Sequence, residues 1–285
     1  MPILFACLAA ICFGAALVTA RFGLRQVDVR TGAAISVPTA ALFFAVVSLV
    51  WLDASGFDAR AALIFALVGL FFPAAVTLIV FVSADRIGPS LTASISGTTP
   101  LFAIFAAFAI LGESIPGRAV LAAIGIVVGV AMMSWRRRAL DASLIGWLLL
   151  LPFAGAAIRG TAQVLAKGGL ALWPSPLAAS LIGYLASATV LILADRLRAE
   201  RPSRRSSPST RLTFAATGML NGMGLMLSYV ALQRAPVAVV VPIISAHPLV
   251  TLALSAAVLR EEVFGTRVAL GAGLTLAAVV YLVAG

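Results

Sequence analysis

The sequence predicts an all-α integral membrane protein of ten transmembrane helices, built as two inverted five-helix repeats. Three observations predict it. First, 62% of the 285 residues are hydrophobic and only 11% are charged, with a mean hydropathy of +1.12; a soluble domain carries roughly 25% charged residues. So few charges cannot cover that much apolar surface in water, which makes lipid the solvent. Second, the apolar residues fall into about ten runs, separated by short charged or Pro/Gly punctuation, each near the ~20 residues a spanning helix needs. Third, a stretch of the chain occurs twice. RIGPSLTASISGTTPLFAIFAAFAILGESIPGRAVLAAIG, from Arg86 to Gly125, aligns without a gap on RAPVAVVVPIISAHPLVTLALSAAVLREEVFGTRVALGAG, from Arg234 to Gly273, at an offset of 148. Arg86 falls on Arg234, Pro100 on Pro248, Glu113 on Glu261 and Gly125 on Gly273. Matches of Arg, Pro, Glu and Gly are not a by-product of apolar composition.

The elements follow in order. MPILFACLAAICFGAALVTA has no basic leader region and reads as a retained first helix, followed by Arg21, Arg25 and Arg30. The second span is expected over about 31–52, the third over about 61–84, the fourth over about 91–111 and the fifth over about 118–135, stopped by Arg136, Arg137 and Arg138. The first repeat is residues 1–138 and the second is 139–285. The sixth span is expected over about 144–167 and the seventh over about 176–194. DRLRAERPSRRSSPSTR, residues 195–211, is the one long polar stretch and reads as a mobile loop. The eighth span is expected over about 212–232, the ninth over about 237–259 and the tenth over about 265–283. The first helices of the halves also correspond at an offset of 146, placing Gly14 on Gly160, Arg21 on Lys167 and Gly23 on Gly169.

Five spans per repeat is an odd number, so the second copy is inverted in the membrane, as in secondary transporters. Fifteen arginines fall in odd-numbered connections, against Arg60, Arg118, Lys167 and Arg234 in even-numbered ones. The positive-inside rule then puts the odd connections, including 195–211, in the cytoplasm of a cell whose inner membrane the protein crosses, with both termini outside. The net charge of +10 sits at the ends of apolar runs, which is an orientation signal and not a nucleic-acid patch. Cys7 and Cys12 lie five residues apart in one apolar run and read as apolar fillers.

In the doubled segment, Pro100-Leu101, Gly112-Glu113 and Gly125 recur as Pro248-Leu249, Arg260-Glu261 and Gly273. This pattern resembles the drug/metabolite transporter superfamily, EamA-type. The resemblance covers nearly the whole chain. It implies a ten-helix transporter of small molecules, with members moving amino acids, sugars, nucleotide derivatives and drugs. It also implies both termini in the cytoplasm, opposite to the arginine count. The family's helix-1 Trp-Gly stands here as Phe13-Gly14 and Arg159-Gly160, and Arg260 replaces the usual Gly.

Few residues in the apolar spans can carry chemistry. Arg159 stands about 12 Å from Lys167 along the sixth span, and a central Arg costs about 2.5–3.5 kcal/mol on insertion scales. It either faces a substrate cavity or pairs with carbonyls freed at a proline. Gln163, at i+4, shares its face. His247, the only histidine, precedes Pro248; it either bonds a freed carbonyl or lines the cavity. Asn221 is the remaining strong polar candidate, with an interhelical hydrogen bond as its plain alternative. Thr98 and Thr99 add weaker candidates, since such hydroxyls usually bond their own backbone. Pro100 and Pro248 are expected to interrupt their helices near the midplane. Glu113 and Glu261 are expected to fix turns beside arginines. Met219, Met223 and Met226 form a stripe, and Gly125/Gly129 and Gly218/Gly222 mark close helix contacts. No metal spacing, phosphate loop or nucleophile constellation appears, so no cofactor is expected. An intramembrane enzyme would need a paired acid/base set, which the spans lack. The sequence therefore points to a secondary transporter, monomeric or homodimeric, that exports an anionic or zwitterionic metabolite; a multidrug or lipid-precursor translocator is the alternative.

Overall fold

A computed structural model describes residues 1–24, 26–76, 79, 82–83, 92, 95–134, 148–196, 207–259 and 265–284. The described residues of the first half form α1 (Pro2–Leu24), α2 (Val29–Trp51), α3 (Ala59–Gly69), α4 (Thr99–Leu111) and α5 (Gly117–Ser134). Those of the second half form α6 (Leu150–Leu172), α7 (Pro176–Arg196), α8 (Pro208–Leu232), α9 (Val237–Ser245), α10 (His247–Leu259) and α11 (Thr266–Ala284). The chain is all-helical and membrane-spanning. Leu42, Leu49, Phe105, Leu121, Leu193 and Leu276 point outward as a lipid-facing surface, while Ala9, Ala40, Ala103, Ala178 and Ala231 are sealed inside. That partition is the membrane solution. Lipid is as apolar as leucine, so helices associate by close packing of small residues and not by hydrophobic exclusion.

The two halves interlock along paired contacts. α1 packs on α8, and α6 packs on α3; α2 meets α8 as α7 meets α3; α1 meets α9 and α10 as α6 meets α4. The pairs α2–α7, α4–α9 and α5–α11 join equivalent helices of the two halves. Glycines permit the closest approaches. A Cβ at Gly69 would stand 2.3 Å from the Gly183 carbonyl oxygen, and one at Gly218 would stand 2.1 Å from that of Ser36. Gly169 takes the Phe65 ring as Gly23 takes the Phe214 ring.

Three expected spans are not single straight helices. The ninth is broken at Ala246 into α9 and α10. The fourth has a turn at 97–98 before α4 begins. In both places the same three-residue turns occur at the 148-residue offset. Thr98 N donates to Ile95 O and Ala246 N to Ile243 O; Leu101 N donates to Thr98 O and Leu249 N to Ala246 O. Pro100 and Pro248 follow each break, at the start of the new helix, where a missing N–H costs nothing. The third span also breaks. α3 runs into a π-turn over Leu70–Ala75, with Phe72 extended at φ −134° and ψ 122° before Pro73. A proline removes one ladder donor and crowds the preceding residue, so the regular helix cannot pass through it.

The polar stretch is shorter than expected. Asp195 and Arg196 end α7, and Ser207 caps α8 by accepting from Thr210 N at 3.2 Å; residues 197–206 lie outside the described residues. α6 extends past Lys167 to Leu172, so Lys167 lies inside a helix and not at its end.

The connections sort to two faces. On one, Glu113 reaches Lys167 and Val237, Gln233 donates to Pro174 O at 2.9 Å, and Phe57 meets Trp173 with centroids 5.3 Å apart. On the other, Gln26 meets Ser207 and Thr210, and Arg21 donates to Ser255 Oγ at 3.5 Å. The four even-numbered connections meet at the first face; at the second, the described contacts join the first connection to the start of α8 and the end of α1 to α10.

Candidate functional site

The helix breaks organise the interior. Gly160 of α6 lies against the start of α4: a Cβ there would meet Ala103 N at 2.8 Å and Thr99 O at 3.1 Å. Gly14 of α1 lies against the start of α10, with His247 O 3.1 Å and Val250 Cβ 2.7 Å from the same position. Each first helix thus crosses the broken helix of the other half. The residues just before these glycines, Phe13 and Arg159, are repeat equivalents held at the crossings.

Arg159 lies deep in the protein, yet part of its surface remains accessible. Among the described residues its Nε is buried without a hydrogen-bond partner and it makes no ion pair. The contact recorded for its charge is aromatic: Cζ stands 5.8 Å from the centroid of Phe72. Gln163, one turn on, is 5% exposed with Oε1 unpartnered. His247 opens α10 directly after the break at Ala246. Its Nδ1 has no protein partner, and its ring stands edge-on to Phe13 with centroids 6.3 Å apart. Ser96 Oγ, at the break before α4, is also buried without a partner. Buried polar atoms are ordinarily satisfied; among the described residues these four and Ser48 Oγ are the exceptions.

The other expected residues fall differently. Thr98 Oγ1 donates to Ile95 O at 2.6 Å and Thr99 Oγ1 to Ser96 O at 2.8 Å, so both hydroxyls serve carbonyls at the break. Asn221 is half-buried in α8, and no hydrogen bond joins it to Arg159, Gln163 or His247. Met219 faces outward while Met226 packs on the core, so the methionine stripe does not line one wall. Gly129 lies against Gly271 and Thr275, and Gly125 against Ala278, as close helix contacts.

Glu113 corrects its expectation. It does not pair with a neighbouring arginine. Gly112 adopts the left-handed conformation at φ 64° that ends α4, and this turns Glu113 back toward the second half. There its carboxylate lies 2.5 Å from Lys167 Nζ and accepts from Val237 N at 2.8 Å, capping α9. Lys167 Nζ also donates to Ala235 O at 2.7 Å. A shallow pocket opens beside this cluster, lined by Leu111, Glu113, Lys167, Leu232 and Gln233; Arg159 and His247 take no part in it. Glu261 lies outside the described residues. Among the described residues no group of His, Cys, Asp and Glu could hold a metal ion.

Sequence reasoning missed Phe72 and gave Phe13 no role. Pro73, set mid-run after two phenylalanines, was the available signal. At the offset of 148 it falls on Asn221, so comparing the repeats one helix earlier would have shown a proline present in one half alone.

Comparison with known proteins agrees with this architecture. A crystal structure of a protein matches with a TM-score of 0.84 at 15% identity, over 98% of this chain and 95% of that one; at that identity it speaks to the fold alone. No curated relative matches the sequence. The profile of the EamA-like transporter family matches residues 1–135 and again 145–284. The chain is therefore a multi-pass membrane transporter of the drug/metabolite type, with a small molecule as substrate and the lipid bilayer as its surroundings, and it belongs to the EamA-like transporter family.

Proposed function

We propose that the chain is a secondary transporter that exports a small anionic or zwitterionic metabolite by alternating access. The observation that carries this reading is Arg159: a deep guanidinium at the crossing of α6 and α4, partly accessible and without an ion pair among the described residues. Such a charge is expensive in a bilayer and marks a substrate path. An incoming carboxylate or phosphate supplies the missing partner through two parallel N–H···O bonds. Gln163, one turn from Arg159, and His247, each with a polar atom unpartnered among the described residues, complete the shell in this reading, and Asn221 extends it from α8. The matched breaks before Pro100 and Pro248 give both halves a place to bend around the site.

The test is transport by purified protein in vesicles across glutamate, phenylalanine, succinate and glycerol 3-phosphate. Arg159→Leu should abolish carriage of the anion that the parent moves. Arg159→Lys keeps the charge but not the planar fork and should slow it at least about tenfold. An Arg159→Leu variant as active as the parent would make Arg159 structural and end the anionic reading.

The arginine bias supports an inner-membrane orientation with 195–211 in the cytoplasm. A cysteine at Ser206 should then resist an impermeant label in intact cells, and labelling from outside reverses the assignment.

A further inference from the structure

We propose that Phe72 is the positioning residue for Arg159, a role that rests on the anion-binding reading of Arg159 above. The guanidinium carbon stands 5.8 Å from the Phe72 centroid, within the ~6 Å over which a ring's negative face attracts a cation. The ring is there because α3 breaks. Phe72 is extended within the π-turn Leu70–Ala75 and so leaves the helical course that its neighbours follow. The break is held from outside. Ser187 Oγ of α7 donates to Gly69 O, and Gly69 lies against the Gly183 backbone. α7 therefore fixes the point where α3 bends and, through it, the ring.

A ring differs from a carboxylate in the respect that matters here: it offers no lone pair in hydrogen-bond geometry. An acidic side chain beside Arg159 would occupy the N–H fork that an anionic substrate needs. Phe72 steadies the charge and leaves those donors for the incoming group. The unpartnered Nε is what such an arrangement leaves behind. The second half has no copy of the device. The equivalents of Phe72 and Pro73 are Leu220 and Asn221, inside the uninterrupted helix α8, and the equivalent of Arg159 is Phe13. The pair of ring and guanidinium is a departure from the repeat and not an inheritance from it.

The experiment measures concentration-dependent transport of glutamate, phenylalanine, succinate and glycerol 3-phosphate in vesicles by the parent, Phe72→Leu, Phe72→Tyr, Phe72→Glu and Arg159→Leu. Leucine keeps the apolar bulk and removes the ring. It should raise KM for the carried anion about three- to thirty-fold and leave the maximal rate within about twofold. Tyrosine keeps the ring and should keep the parent's KM. Glutamate supplies the partner internally and should abolish anion transport. A Phe72→Leu variant with the parent's KM, whether or not its maximal rate or yield falls, overturns the proposal while Arg159→Leu is inactive. Transport by Arg159→Leu equal to the parent's fails the anion reading itself and takes the role of Phe72 with it.

Discussion

The two halves agree where helices cross and differ where the interior is polar. Both break a helix with the same pair of three-residue turns, at Ile95–Leu101 and Ile243–Leu249. Both seat an aromatic ring on a glycine, Phe65 on Gly169 and Phe214 on Gly23. Both cap the helix after the second connection with a polar side chain, Asp58 accepting from Ala61 N at 2.8 Å and Ser207 from Thr210 N at 3.2 Å. The differences are few and lie inward. Arg159 stands where the first half has Phe13, His247 where it has Thr99, and α8 continues where α3 breaks at Phe72. The scaffold is nearly two-fold, and the polar residues set into it are not. A substrate site on a true two-fold axis would present each group twice; the site proposed above would present Arg159 and His247 once each.

The largest effect that tests this comparison is on packing. Gly69→Ala and Gly218→Ala each drive a Cβ onto a main-chain oxygen, of Gly183 and Ser36, which cannot rotate away. Each should cost about 3 kcal/mol of stability, measured by thermal unfolding in detergent, and the two costs should be similar. A mild effect at one position would break the equivalence of the α3–α7 and α2–α8 contacts. A smaller effect belongs to the clasp between halves. Glu113→Ala removes the partner of Lys167 and the cap of α9, for about 2 kcal/mol, and Lys167→Ala should cost less in the double variant than alone. Additive costs would mean that the 2.5 Å contact contributes no coupling. The smallest effect concerns the two helix starts. Asp58→Ala and Ser207→Ala should each cost about 1 kcal/mol, while Ser207→Asp, which copies the first half's cap onto the second, should be neutral or stabilising. A loss on Ser207→Asp would show that the two helix starts only look alike.

Much of this was legible in the sequence. Composition announced lipid, and the gapless repeat located both helix breaks through Pro100 and Pro248, because a proline in an apolar run has a local consequence that needs no tertiary knowledge. Arg159 stood out because its cost in a bilayer is large and its position mid-span is unambiguous. The contacts of Glu113 were not legible. Its neighbours in sequence include an arginine, and only the left-handed turn at Gly112 sends it to Lys167 instead, 54 positions along the chain. Phe72 was hidden for a related reason. Its importance depends on which residue faces a break in another helix, and apolar periodicity in a membrane span does not say which side looks inward when lipid and core are equally apolar. Asn221 stands out in the sequence by polarity alone, a property that carries no direction around a helix.

The repeat also bears on how the finished chain chooses a side. A feature retained in both copies appears once on each face of the membrane, because the second copy is upside down. Arg86 is answered by Arg234, Arg21 by Lys167, and Glu113 by Glu261. Each such pair cancels as a vote on direction, however much it contributes to folding. The decision falls wholly to residues that duplication does not account for, chiefly Arg136, Arg137 and Arg138 and the arginines between Arg196 and Arg211. Whatever the halves share for the sake of packing is silent on which way the protein faces; only their dissent breaks the tie.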